Sequence, residues 1–199
     1  MRPGPRPPRT YINRGETLIK VLLGFIAGVV VIALGGWMMM PSLMFTERAS
    51  PYDLEETVAR IQHNIQNAGN GWSLSGLRNP AKAVQTDGGN VLPVLMIEAC
   101  STQYSKPILK DDTVRFLSIL MPCKISIYKK NDGKVYIGTM NAGLMGKMFG
   151  PMVGEVMGRV AADQKKFLTF DPNTPAPKMI LPAPAGAAGG AASGGGGGC

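Results

Sequence analysis

The chain has 199 residues, with 21 Lys and Arg against 13 Asp and Glu, and a net charge of +8. That excess is not spread over a surface. Arg2, Arg6, Arg9, Arg14 and Lys20 against Glu16 put +4 into residues 1–20, while residues 46–171 hold fifteen bases against twelve acids. No nucleic-acid partner is therefore expected, because a duplex or strand is gripped by clustered bases on a folded face. The one histidine and three cysteines do not form a cluster of four ligands along the sequence, so a structural zinc site is not expected.

Residues 1–20 form a basic Pro/Arg-rich tail that cannot build a core. Residues 21–42 follow as a run without charge, VLLGFIAGVVVIALGGWMMM in its first twenty positions. About 20 apolar residues is the length a helix needs to cross a ~30 Å hydrocarbon core. In lipid the backbone must satisfy its own hydrogen bonds, so the run is expected to be a transmembrane helix ending at Pro41. The bases before it favour a cytoplasmic N-terminus. This places the rest of the chain on the periplasmic or extracellular side of a cell inner membrane, as a single-pass protein. A cleaved signal peptide is the alternative, but the run is long and lacks a clear small-x-small cleavage site. Gly24 and Gly28 form a GxxxG pair that lets two helices approach closely.

Residues 43–170 are one domain, long enough for a real core. Leu43 to Ala49 reads as a first strand. Ser50-Pro51-Tyr52-Asp53 reads as a helix start capped by Ser50, with Leu54, Val58, Ile61 and Ile65 on one face. His63 falls opposite that stripe, on the solvent side. Trp72–Leu77 is a second strand and Asn79–Asn90 a polar loop. Val91–Cys100 is a third strand, with a short helix near Tyr104–Lys110. Val114–Met121 reads as a strand interrupted at Pro122. Cys123–Lys130 alternates clearly, Asp132-Gly133 signals a hairpin, and Lys134–Met140 returns.

Ala142, Gly146, Gly150, Gly154, Gly158 and Ala162 recur every fourth residue beside Met145, Met148 and Met152. Glycines cost a helix ~1 kcal/mol each relative to Ala, so close packing must offset them. Gly150-Pro151 is a natural split into two helices. Met145, Met148, Met152, Gly146, Gly150 and Gly154 are a candidate partner-binding face. The methionines also raise copper, since thioethers are soft ligands; a pliable apolar face packed on the sheet is preferred, and no cofactor is expected.

The segments TERASPYDLEETVARIQ, IEAC, LMPCKISIY and MNAGLMGKMFG…GEVMGRVAAD occur in an order that resembles the domain of unknown function 302 family. The resemblance runs from Phe45 to Leu168. It implies an α+β domain, a curved antiparallel sheet backed by helices in a TATA-binding-protein-like fold, and pairing of domains. Cys100 and Cys123 fall on the family's two recurrent cysteine positions. The resemblance supplies no chemistry.

An oxidising outer compartment favours a Cys100–Cys123 disulfide if the strands are neighbours; otherwise both are small apolar core side chains. Residues 171–199 read as a disordered Pro/Ala/Gly-rich tail ending in Cys199. Such an arm has a reach of roughly 30 Å, from ~5–6 Å × √n. Its terminal thiol is a candidate for sulfur transfer, mixed disulfides or cross-linking of two copies. No GxSxG, HExxH or CxxC motif occurs, so an enzyme is the less favoured reading. The first expectation is an accessory or interaction subunit of a membrane complex, or a homodimer, in contact with the lipid bilayer. The alternative is a thiol, sulfur or soft-metal module using Cys100, Cys123 or Cys199.

Overall fold

The structure, a computed structural model, describes residues 14–181. The chain divides into two units, residues 1–41 and 42–199.

The first unit contributes most of helix α1, Arg14–Met44. Within it Leu18–Met38 is long and apolar enough to cross a membrane, and its side chains are exposed. A helix apolar on all sides is stable where lipid or protein covers it. Pro41 does not end α1. It lies within the last turn, and helical geometry persists to Met44 before the chain turns extended at Phe45.

The second unit is an α+β domain built on one antiparallel five-stranded sheet, in the order β1-β5-β4-β3-β2. The strands are β1 (Phe45–Ala49), β2 (Trp72–Arg78), β3 (Val94–Ser101), β4 (Cys123–Lys129) and β5 (Val135–Met140). Alternation decides their faces. Ile97, Ala99, Ile125, Ile127, Val135 and Ile137 are buried and point to one side. A bulge in β2 between Leu74 and Gly76 lets Leu74 and Leu77, three residues apart, both pair with core-facing Ala99 and Ile97.

Helices α2 (Leu54–Gln66) and α6 (Pro151–Phe167) cover that side. Val58, Ile61 and Ile65 of α2 are fully buried, and Val153, Val160 and Phe167 of α6 complete the core. Asp53, not Ser50, caps α2, accepting from the Glu56 backbone N–H at 2.8 Å. The Ser50 hydroxyl is instead engaged with Thr57 Oγ1 at 2.6 Å. Two segments differ from the sequence reading. Residues 79–90 include a capped helix α3 (Pro80–Thr86), with Asn79 accepting from the Lys82 N–H at 2.9 Å. The apolar run Arg115–Leu120 is a 3₁₀ segment and not a strand. A three-residue period turns Leu117 and Leu120 inward and Phe116 and Ile119 outward.

The stretch beginning at Asp171 does not leave the domain at once. Arg60 donates to the carbonyls of Asp171 (3.2 Å) and Thr174 (3.0 Å). Gln62 exchanges two hydrogen bonds with the Ile180 backbone. Residues 171–180 are thus strapped along α2.

Candidate functional site

A partly open apolar cavity of about 40 Å³ lies in the domain at the sheet end where β2 and β4 begin and β3 finishes. A single buried water needs only ~10–15 Å³, and apolar cavities stay dry. Trp72 of β2 and Cys123 of β4 form part of the wall. Helix α4 (Thr102–Lys110) contributes Tyr104, Ser105 and Ile108, and the 3₁₀ segment Leu117 and Leu120. Met145 and Gly146 come from α5 (Ala142–Lys147), and Val153, Val156 and Met157 from α6. The described lining residues include no Asp, Glu, His, Lys or Arg.

Just outside the wall lies Asp163, 2% exposed. Its Oδ2 accepts from Trp72 Nε1, Tyr104 Oη and Asn70 Nδ2, each at 3.0 Å, and its Oδ1 accepts from Lys166 Nζ at 2.8 Å. Burial pushes this carboxyl up, but the hydrogen bonds from Lys166, Trp72, Asn70 and Tyr104 together outweigh it and hold it at about 2. The carboxylate therefore takes up the polar atoms of two aromatic residues and leaves their ring carbons for the cavity. The Trp72 ring meets Tyr104 and Phe167 edge-on, at centroid distances of 5.9 and 5.0 Å. Burial, and then the bond to Asp163, raise the Tyr104 hydroxyl above its ordinary value.

Cys100 and Cys123 both line the cavity, but they are not bonded to each other: Cys123 is a free thiol. The register explains this. Cys123 pairs with Ala99, so Cys100 is displaced by one residue and its Cβ starts from the opposite pleat. The Cys100 sulfur lies 3.3 Å from the Ser105 hydroxyl. Burial pushes the Cys123 thiol up to about 11. Since the thiolate is the reactive form, Cys123 is a poor nucleophile at neutral pH. Alkylation of Cys123 by iodoacetamide, followed by peptide mass mapping, is expected to be slow at pH 7 and to accelerate as pH rises towards 11. Rapid complete labelling at pH 7 would contradict the burial argument. Cys199 lies outside the described residues.

The glycine and methionine pattern is split, as Gly150-Pro151 suggested, into α5 and α6, with Gly150 at φ +94° between them. Much of the candidate partner-binding face is occupied inside the domain. Gly146 is buried against Met157, and Gly154 lies against the Lys147 backbone. Met145 lines the cavity and Met152 packs on the core, while Met148 is exposed. Gly24 and Gly28 have open space beside them on α1. His63 is exposed beside Asn67. Among the described residues no three His, Cys, Asp or Glu side chains cluster as a metal group. Trp72, Tyr104 and Asp163 were not legible as a set. In sequence Asp163 and Lys166 carry no signal beyond the i,i+3 spacing of an ordinary helix pair.

On the other side of the sheet, a second concavity of about 540 Å³ is lined by Phe45, Glu47, Ile119, Leu120, Pro122, Lys124, Tyr128 and Met140 among others. There Glu47 accepts from Tyr128 and from Lys130, the latter at 2.6 Å.

Residues 46–169 match the family model described as "Domain of unknown function DUF302". The fold resembles the crystal structure of an uncharacterized conserved DUF302 protein from Bacillus stearothermophilus, with a TM-score of 0.56 and 19% identity. The likeness covers 63% of this chain and 96% of that one. Among curated proteins no relative matches.

Proposed function

The chain belongs to the DUF302 family, and from that premise we propose that it is a single-pass, membrane-anchored accessory subunit whose outer domain binds and does not catalyse. Its N-terminus is cytoplasmic and its domain lies on the outer side of a cell inner membrane. The observation that carries this reading is the cavity itself. Aliphatic, aromatic and methionine side chains dominate its wall, and the Cys123 thiol there is held protonated. Such a wall stabilises an apolar group through burial and dispersion, and its described lining holds no carboxylate, imidazole or amine. Methionines suit the task because they repack around an incoming group.

The proposed occupant is an apolar side chain of a larger membrane complex. Val156→Phe places a ring into the cavity from α6. The full chain, extracted from its native membrane in mild detergent, should co-purify with a larger complex in native mass spectrometry. The Val156→Phe chain should lose that association while keeping its near-UV circular dichroism. An unaltered association, or none in the unmodified chain, would overturn the proposal.

A second reading has one observation in its favour. Met121, Met145 and Met157 share the cavity with Cys123, a soft donor set suited to Cu(I). Titration with Ag(I) separates the two: a stable one-to-one adduct lost in Met145→Leu would favour metal handling.

A further inference from the structure

Six exposed large apolar side chains gather at one end of the domain: Leu43, Phe45, Phe116, Ile119, Leu144 and Met148. The sheet register fixes the gathering. Phe45 opens β1 opposite Met140, the last residue of β5, and α5 starts two residues later at Ala142. Asn141 ties this corner together: its N–H donates to the Met44 carbonyl at 2.7 Å and its side chain to the Leu43 carbonyl at 3.0 Å. The 3₁₀ segment ends beside the start of β4. It sets Ile119, 80% exposed, with Phe45 on one concavity, and Phe116 against the Phe149 ring at 6.2 Å. Exposed Lys147 stands between Leu144 and Met148, and exposed Lys124 shares the concavity with Ile119.

Exposed apolar side chains gathered at one end of a domain mark a surface that is covered in use. The covalent chain identifies the cover. The span ends at Met38 and Leu43 follows five residues later. At no more than ~3.3–3.6 Å per residue, Leu43 lies within roughly 20 Å of the end of the hydrocarbon-spanning segment. The polar zone of a bilayer is only several ångströms deep on each side. This end of the domain is thus held at a high effective concentration beside the membrane surface, where even weak burial of apolar side chains is favourable.

We propose that this patch docks into the headgroup and acyl-chain boundary of the bilayer on the side where the anchor emerges, with Phe116 and Ile119 as its deepest side chains. Lys124 and Lys147 contact lipid phosphates at its rim. The inference rests on the anchored reading given above.

The test uses the full chain in lipid nanodiscs, with Trp37→Phe and Ile119→Trp to place a fluorophore on the patch; the remaining Trp72 is buried. The emission is expected to shift to the blue relative to the same chain with Phe116→Ser added, and to fall at least twofold when the lipids carry bromine on their acyl chains. A red emission unquenched by bromolipids, in a chain that resists alkaline extraction from native membranes, would overturn the patch and leave the anchor standing. A mature chain beginning downstream of Met44 would overturn both. A cross-link between two copies through this face, with no quenching, would assign the patch to a second copy and overturn the lipid assignment.

Discussion

Asp163→Ala is expected to destabilise the domain by about 3 kcal/mol, because it strands the Trp72 and Tyr104 donors behind the core at ~1–3 kcal/mol for each unsatisfied group. For a domain of this size that lowers Tm by roughly 10 °C. Asp163→Asn keeps an acceptor oxygen and should lose less. Thermal unfolding of the full chain in detergent, followed by near-UV circular dichroism, reads both values. An unchanged Tm would mean that the network is not part of what holds the domain. The pH dependence has a definite sign. The folded carboxyl sits at about 2, below its ordinary value of 3.8. Its contribution is therefore full above the unfolded value and is lost as pH falls from about 4 through 2. The unmodified chain should lose stability across that interval, and Asp163→Ala should lose less.

Gly146→Ala and Gly158→Ala should move stability in opposite directions. A Cβ at Gly146 would lie 2.3 Å from the Met157 Cβ and 3.0 Å from the Val153 carbonyl oxygen, neither of which is the end of a flexible side chain. Helices α5 and α6 must part, at a cost of about 1–3 kcal/mol, and the cavity wall moves with them. At Gly158 nothing lies within 4 Å of the added carbon, and the position is exposed on α6. There alanine should stabilise by about 0.5–1 kcal/mol through helix propensity alone. Chemical denaturation of the two variants checks the pair. A shared sign would show that the small residues do not set the α5–α6 distance.

Several elements were legible because local chemistry and the final fold agree. The α2 stripe is buried as its spacing required. β4 alternates as written, and Asp132-Gly133 makes its turn with Gly133 at φ +78°. Other segments were misread for identifiable reasons. VRFLSILM has the composition of a strand, but a 3₁₀ period let the chain bury Leu117 and expose Ile119. The every-fourth-residue glycines read as a close-packing surface, but a sequence does not show whether the second surface belongs to the same chain; here Gly146 meets Met157 of α6.

The sequence by itself carried the family resemblance in its ordered motifs, and it determined the apolar span, the α2 stripe and the alternation of β4. The span, the stripe and the alternation follow from periodicity and composition over short windows, where each residue acts on its near neighbours. The cavity and its Asp163 bracing were decided by tertiary structure alone. Trp72 and Asp163 are 91 positions apart, and Tyr104 is 59 from Asp163. Only the antiparallel order β1-β5-β4-β3-β2, with α6 laid across it, brings those three side chains within hydrogen-bond distance.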